Sequence, residues 1–201
     1  MRAVFLDRDG VICTNRPDHV KTWPEFEFLP GAKESLVALA RLDLPIVIVT
    51  NQAAVGRGLV SAQMVEEIHQ KMVAQILAWG GRIDRVLCCP HRPEDECDCR
   101  KPKPGMLLQA AAELDIDLSQ SYMVGDAATD VLAGQQAGCS AYLVLTGRGL
   151  QQLVPAFQSS VRPFTITKNL LTATQQIVNT ELKLFDPVEM RQVPAKTNGK
   201  C

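Results

Sequence analysis

Residues 3–10 read AVFLDRDG, an apolar run that ends in two aspartates and a glycine. The first four residues are apolar and include the β-branched Val4, which is typical of a short buried strand. Gly10 permits a sharp turn that would bring the side chains of Asp7 and Asp9 into one site. One carboxylate can then act as a nucleophile while the other transfers protons, although a surface turn rich in aspartate has a similar sequence.

Five further apolar runs resemble strands, and helical patterns separate most of them. The predicted strands are 3–6, 45–49, 85–88, 122–124, 141–145 and 164–167. The predicted helices are 32–42, 61–79, 105–114, 129–137 and 168–180. Continuous apolar strands alternating with helices predict an α/β fold, with a parallel sheet covered by helices on both faces. Ligands bind such sheets at the carboxyl ends of the strands, where Asp7, Thr50, Cys89 and Asp126 are predicted to lie.

The composition indicates a folded protein of one domain. The 201 residues are 46% apolar and 21% charged, and the formal net charge is −1. This near-neutral charge argues against a nucleic-acid partner or an anionic membrane surface. The sequence shows neither a membrane-spanning run nor a signal segment. We therefore expect a cytoplasmic protein, with a folded domain over residues 1–182 and a flexible polar tail over 183–201.

Three further groups of polar residues follow predicted strands or precede predicted helices. Thr50 and Asn51 can hold a phosphoryl oxygen, or can simply cap a turn. Lys101 can neutralise a phosphoryl group, or can lie in a solvated basic loop. Asp126 can hold Mg²⁺ or cap the following helix. For Asp130, one helical turn later, a capping role is at least as well supported as a metal contact.

Cysteine and histidine residues cluster between residues 88 and 99. Cys89 and His91 form one close pair, and Cys97 and Cys99 form another after a spacer of five residues. Three thiolates and one imidazole suit tetrahedral Zn²⁺, and a site closed by four protein ligands is structural. Free thiols with a solvated histidine, or a disulfide, are the alternatives. A zinc ion here would fix the loop that leads directly into Arg100 and Lys101.

The four groups of polar residues, in order and each at a strand end, resemble the motifs of the haloacid dehalogenase (HAD) superfamily. The resemblance covers residues 1–150. The first motif resembles Asp7-x-Asp9-Gly10 and the second Thr50-Asn51; the third resembles Lys101 and the fourth Gly125-Asp126 with Asp130. It implies a Mg²⁺-dependent phosphatase on a Rossmann-like sheet with a minimal cap.

The resemblance also implies a role for each motif residue. Asp7 would be the nucleophile that carries the phosphoryl group, and Asp9 the general acid and base. Thr50 and Lys101 would hold the transferring group. Mg²⁺ would be bound by Asp7, by the backbone carbonyl of Asp9 and by Asp126. Because Asp9 must be protonated for the first step, we expect carboxylate neighbours to raise its pKa.

The cysteine-rich loop narrows the resemblance to a subgroup that contains heptose-bisphosphate and histidinol-phosphate phosphatases. It implies that the partner is a small phosphorylated metabolite. The implied reaction removes the 7-phosphate of D-glycero-D-manno-heptose 1,7-bisphosphate. Histidinol phosphate or another small sugar phosphate is the alternative substrate. The implied substrate-binding residues are Asn15, Arg16, Pro17, Asp18, His19, Asn51, Gln52, Ala53 and Arg100. Ala127 departs from the lysine that heptose enzymes often carry after the fourth-motif aspartate. We expect a monomer, and the alternative from another functional class is an inactive binding protein on the same fold.

Overall fold

The strands form one parallel sheet. The computed structural model describes residues 1–185. The strands are β1 (Val4–Leu6), β2 (Ile46–Asn51), β3 (Arg85–Cys89), β4 (Tyr122–Gly125), β5 (Ser140–Val144) and β6 (Thr165–Thr167). They pair in the order β3-β2-β1-β4-β5-β6, which confirms the predicted α/β fold. The order reverses between β1 and β4, so a crevice opens outside the carboxyl ends of these two strands.

Helices cover both faces of the sheet. They are α1 (Ala32–Leu39), α2 (Ala53–Gly56), α3 (Ala62–Ala78), α4 (Gly105–Leu114), α5 (Ala128–Ala137), α6 (Gly149–Ser159) and α7 (Leu170–Phe185). Because side chains alternate along a strand, Val4 and Leu6 join a core with α1, α3 and α7, whereas Phe5 joins a second core with α4 and α5. None of these helices within residues 1–185 is long and apolar enough to cross a membrane.

Two helix ends carry common capping residues. The Ser61 side chain accepts a hydrogen bond from the Met64 amide at 3.1 Å at the start of α3. Gly138 ends α5 with a φ of 98°, a left-handed conformation that glycine adopts without strain. The predicted boundary at residue 182 falls inside α7, which continues to Phe185. The rest of the predicted tail, residues 186–201, lies outside the described residues.

Helix α6 is absent from the sequence-based expectations. Pro155 lies inside it, and proline normally interrupts a helix because it lacks the amide proton. Its apolar residues Leu150, Val154 and Phe157 are exposed, and among its residues only Gly149 and Ala156 are buried. These apolar residues recur at helical spacing but lie on the exposed face, so Pro155, and not the lack of a period, argued against a helix here.

A charged side chain is enclosed in the core beneath the carboxyl end of β1. Arg8 is 0% exposed, and its Nη1 lies 3.0 Å from Nε2 of His69 on α3. A guanidinium only donates hydrogen bonds, so Nε2 is the acceptor and carries no proton. Burial, reinforced by the charge of Arg8, lowers the pKa of His69 to about 3. The imidazole is therefore neutral at physiological pH.

Replacing His69 with glutamine should make the fold less sensitive to acid. The folded protein binds fewer protons than the unfolded chain between pH 3 and the ordinary pKa of 6.5. The contribution of His69 to the free energy of unfolding is complete above pH 6.5. It is lost as the pH falls toward 3, by about 1.4 kcal/mol per pH unit. Glutamine retains an acceptor for Arg8 but does not titrate.

Urea unfolding at pH 7 and pH 5 measures this difference. Between these values the wild type should lose about 2 kcal/mol more free energy of unfolding than the variant. His19→Gln, in the loop after β1, is the matched control and should keep the wild-type acid sensitivity. Equal losses in the wild type and the His69 variant would contradict the assignment.

Candidate active site

The floor of the crevice is an ion pair between the end of β1 and the loop after β3. Lys101 is 2% exposed, and its Nζ donates to Asp7 Oδ1 at 2.8 Å and to the Val49 carbonyl at 2.7 Å. It also pairs with Asp130 Oδ1 at 2.7 Å. Burial alone would lower the pKa of Lys101, but the charges of Asp130 and Asp7 outweigh it and raise that pKa. Burial raises the pKa of Asp7 to about 7, and Lys101 offsets only part of this effect.

A second carboxylate reaches the same point from the end of β4. Asp126 is fully buried, and its Oδ2 accepts a hydrogen bond from the Arg148 amide at 2.7 Å. Burial, together with the nearby Asp130, raises the pKa of Asp126 to about 6. Gly10 and Gly147 lie so close that a Cβ on either would collide with Asp126 Oδ2. Both have positive φ values, of 85° and 56°, so two loop backbones enclose this carboxylate as only glycine permits.

Carboxylate oxygens of Asp7, Asp126 and Asp130 all lie within 4.8 Å of one another. Asp130 has both oxygens engaged, Oδ1 with Lys101 and Oδ2 with the Ala127 amide at 3.0 Å, so it caps α5 as one reading of the sequence allowed. Asp126 Oδ1 is buried and has no hydrogen-bond partner among the described residues. This oxygen lies 3.7 Å from Arg148 Nη2, and a buried carboxylate oxygen without a hydrogen bond beside Asp7 fits a hard divalent cation with oxygen ligands.

The side chain of Asp9 is held by a ring of donors. Arg8 donates through Nε at 3.2 Å and through Nη2 at 3.1 Å, and Gln52 Nε2 donates at 2.7 Å. The Cys13 thiol lies 3.6 Å away. Burial pushes the pKa of Asp9 up, but the charge of Arg8 and these hydrogen bonds outweigh it and lower the pKa. The expectation of a raised pKa is therefore wrong, because Arg8 folds inward to pair with Asp9.

The end of β2 connects these groups. Thr50 is buried, and its Oγ1 accepts a hydrogen bond at 2.8 Å from the same Gln52 Nε2 that reaches Asp9. The side chain of Asn51 forms two hydrogen bonds with the backbone of Lys101: Nδ2 donates to the carbonyl at 3.0 Å and Oδ1 accepts from the amide at 3.2 Å. This pair fixes the lysine backbone beside β2, so that its side chain extends toward Asp7.

The predicted cysteine and histidine cluster is assembled in the loop after β3. Cys89 Sγ lies 3.6 Å from His91 Nδ1 and 3.6 Å from Cys97 Sγ. Cys99 Sγ lies 3.3 Å from His91 Nδ1 and 3.4 Å from Cys97 Sγ. A tetrahedral ion with bonds of about 2.0–2.3 Å would separate its ligands by about 3.3–3.8 Å. All three cysteines are free thiols, which removes the disulfide alternative and leaves four atoms at the spacing of a metal site.

A cavity of about 740 Å³ opens above Asp7 and Lys101. Its lining includes eight of the nine residues that the resemblance implied for substrate: Asn15, Arg16, Pro17, His19, Asn51, Gln52, Ala53 and Arg100. Asp18 does not line the cavity; its carboxylate pairs instead with Lys21 at 2.8 Å and with Arg16 at 3.2 Å. The predicted substrate loop therefore borders the site, while Asp18 organises that loop from outside.

The structure adds residues that sequence reasoning did not assign to the site. The additional lining residues include Arg57, Thr129, Arg148 and Gln151. Arg148 and Gln151 lie at the start of α6, the helix that the sequence pattern did not reveal. The sequence does contain an indication for Arg8, because a charged residue next to a buried strand needs a buried partner. His69 had no such signal, since only the packing of α3 beneath β1 brings it to Arg8.

Comparison with known proteins agrees with this geometry. The Hydrolase_like family model, described as HAD-hyrolase-like, matches residues 98–173. The D-glycero-beta-D-manno-heptose-1,7-bisphosphate 7-phosphatase of Bordetella bronchiseptica is 40% identical over 153 residues, which cover 76% of this chain and 86% of that protein. The enzyme of the same name from Vibrio cholerae is 40% identical over 158 residues, or 75% of this chain and 84% of its own length.

A solved structure gives the same result for the fold. The D,D-heptose 1,7-bisphosphate phosphatase of B. bronchiseptica, in complex with magnesium and phosphate, superposes with a TM-score of 0.83 at 35% identity. The match covers 90% of this chain and 99% of that chain. Identity of this extent over most of both sequences, on the same fold, is a family relationship. The chain is a HAD-like phosphatase and belongs to the family of D-glycero-β-D-manno-heptose-1,7-bisphosphate 7-phosphatases.

Proposed function

We propose that this phosphatase removes the 7-phosphate of D-glycero-D-manno-heptose 1,7-bisphosphate through an aspartyl-phosphate on Asp7. The observation that carries the proposal is the buried Asp7–Lys101 pair, at 2.8 Å, on the floor of the large cavity. A carboxylate at the base of a cavity can attack a phosphoryl group, and a buried ammonium beside it offsets the repulsion between two anions. The substrate is the one for which its relatives are named.

The side chains divide the reaction between them. Asp7 attacks phosphorus while Lys101 balances the charge on the transferring group. Asp9, which lines the cavity, gives a proton to the leaving oxygen and later takes one from the water that opens the aspartyl-phosphate. Thr50, linked to Asp9 through Gln52, contributes its hydroxyl to the phosphoryl oxygens.

A divalent cation completes the proposed site. Asp7, Asp126 and the backbone carbonyl of Asp9 would hold Mg²⁺, since Asp126 Oδ1 is buried without a hydrogen-bond partner in the described part of the chain. When bound, Mg²⁺ offsets negative charge on the substrate phosphate and orients it toward Asp7. Magnesium and phosphate together in the related structure support this assignment.

The cavity suits a substrate with a second anionic group. Arginines at four places border it: Arg16, Arg57, Arg100 and Arg148. Guanidinium groups bind phosphate in a bidentate manner. The arginines of the cavity wall can therefore bind the second phosphate of a bisphosphate while Lys101 contacts the reacting phosphate on the floor. The chain's net charge of −1 makes this local group of cations necessary, since the protein as a whole does not attract anions.

Zn²⁺ is the proposed occupant of the cluster formed by Cys89, His91, Cys97 and Cys99. Four protein ligands leave no open position, which makes the site structural. Arg100 follows directly, and its Nη1 donates to the His91 carbonyl at 3.1 Å. The ion would therefore fix the loop that supplies Arg100 and Lys101. The cytoplasmic location and the monomeric state remain predictions from the sequence.

A panel of phosphorylated metabolites tests the proposal. With Mg²⁺ present, kcat/KM should be highest for the heptose 1,7-bisphosphate, above histidinol phosphate and fructose 1,6-bisphosphate, and activity should disappear when Mg²⁺ is withheld. Phosphorus NMR should show that the product keeps the 1-phosphate. A preference for histidinol phosphate would overturn the substrate, and failure to hydrolyse any member would indicate the inactive binding protein.

Replacing Asp7 with asparagine should abolish turnover, because an amide cannot form the aspartyl-phosphate. We expect kcat to fall by about 10⁴-fold or more, while circular dichroism shows a folded protein because the two side chains have the same shape. Asp43→Asn, at an exposed position before β2, is the matched control and should keep the wild-type rate. A variant at position 7 with wild-type kcat would rule out this nucleophile.

Replacing Cys99 with alanine should remove zinc and stability together. Atomic emission should find zinc in the wild type and not in the variant. Tm should fall by about 2–4 °C for each kcal/mol that the site contributes in a domain of this size. Cys88→Ala is the control, since Cys88 is a free thiol beside the cluster but not in it. Unchanged zinc content and Tm in Cys99→Ala would refute a structural zinc site.

A further inference from the structure

The clamp behind Asp9, formed by Arg8 and His69, has no part in the reaction described so far. Arg8 does not line the cavity, and it carries a fixed charge in a fully buried position. Burying such a charge costs several kcal/mol unless partners satisfy it. Its guanidinium therefore needs acceptors, and the structure places one on each side: the Asp9 carboxylate toward the cavity and His69 toward α3.

The contact with Asp9 determines the orientation of the carboxylate. Nε and Nη2 of Arg8 donate to different oxygens of Asp9, at 3.2 and 3.1 Å, and a bidentate pair of this kind fixes the plane of the carboxylate. Phe26 also lies against Arg8, with its ring centre 6.0 Å from Cζ. A ring face attracts the cation but gives the guanidinium no directional hydrogen bond.

The contact with His69 gives Arg8 a second directional anchor, on the side away from Asp9. The acceptor Nε2, 3.0 Å from Arg8 Nη1, lies on a helix of 17 residues that is packed into the core. A neutral acceptor suits this position, since a carboxylate there would compete with Asp9 for the charge of Arg8. His69 therefore anchors Arg8 without weakening its pairing with Asp9.

We propose that His69 is a positioning residue for the phosphatase reaction, which acts through Arg8 to hold Asp9 where it can protonate the leaving oxygen. The inference rests on the proposed role of Asp9 as general acid. Misplacing a reacting group by about 1 Å can cost about 10²-fold in rate. The anchoring of Arg8 should therefore matter most where the leaving group depends on a proton.

Two phosphate esters separate this role from a merely structural one. Glycerol 2-phosphate releases an alkoxide, which must gain a proton as the P–O bond breaks, whereas p-nitrophenyl phosphate releases a stable phenolate that needs none. The ratio of kcat/KM for the two esters reports only steps up to release of the alcohol or phenol. Hydrolysis of the aspartyl-phosphate, common to both, does not enter it.

The decisive pair of variants is His69→Met and His69→Gln. Methionine has a similar length without a strong acceptor, and glutamine places an oxygen close to the position of Nε2. His69 borders a cavity of about 500 Å³ between α3 and β3, which leaves room for either side chain. In His69→Met, kcat/KM for glycerol 2-phosphate should fall by about 10²-fold, with a much smaller fall for p-nitrophenyl phosphate. His69→Gln should recover most of the loss.

The inhibition constant of inorganic phosphate should stay unchanged in both variants, since the phosphate site does not include His69. In an Asp9→Asn background, His69→Met should cause no further loss, because the residue on which it acts has been removed. Should His69→Met fail to fold, His69→Asn, whose amide is too short to reach Arg8, makes the same comparison.

Equal losses of kcat/KM for the two esters in His69→Met would overturn the proposal. An undiminished effect of His69→Met in the Asp9→Asn background would overturn it as well. Its failure is distinguishable from failure of the proposed substrate. A wild-type protein that cleaves both esters but does not prefer the heptose bisphosphate would contradict the substrate alone, and the comparison of the two esters would still decide the role of His69.

Discussion

The ammonium group of Lys101 neutralises the point where carboxylates from β1 and α5 meet. It pairs with Asp7 at 2.8 Å and with Asp130 at 2.7 Å, and is almost fully buried. Without it, Asp7 and Asp130 would lose their cationic partner in a buried place, beside a third carboxylate, Asp126, that pairs with Arg148 at 3.7 Å. Removing one partner of a buried ion pair typically costs about 3–5 kcal/mol. The same contact holds Asp7, the proposed nucleophile, beside the ammonium group that would stabilise the negative charge of a phosphoryl group.

The position of Lys101 depends in turn on two neighbours in the chain and in space. The side chain of Asn51 fixes its backbone beside β2, and the cysteine and histidine cluster ends two residues before it. Ordering a loop costs about 1–2 kcal/mol per residue. A metal ion bound to the four side chains of this loop would offset part of that cost.

The two aspartates of the first motif differ because their surroundings differ. Asp7 is buried among carboxylates with one lysine, and its pKa is raised to about 7. Asp9 faces the guanidinium of Arg8, and its pKa is lowered. Identical side chains two residues apart thus acquire different properties from the tertiary structure. The resting site presents Asp9 as a carboxylate, so a bound substrate must change its surroundings before it can act as an acid.

The sequence by itself determined the parallel α/β fold, the family, the arrival of Asp7, Thr50 and Asp126 at strand ends, and the place of Lys101 in the loop before α4. Those features depend on local chemistry: apolar runs, glycines at turns, and ligand types at fixed spacing. It also predicted the four residues of the cysteine and histidine cluster, because those residues are close in the chain.

Only the tertiary structure decided the burial of Arg8, its contact with His69 and the lowered pKa of Asp9. These depend on side chains 61 residues apart and on how α3 packs under β1, which no local pattern records. Helix α6 and the cavity arginine Arg148 also required the structure, since Pro155 argues against a helix in that part of the sequence.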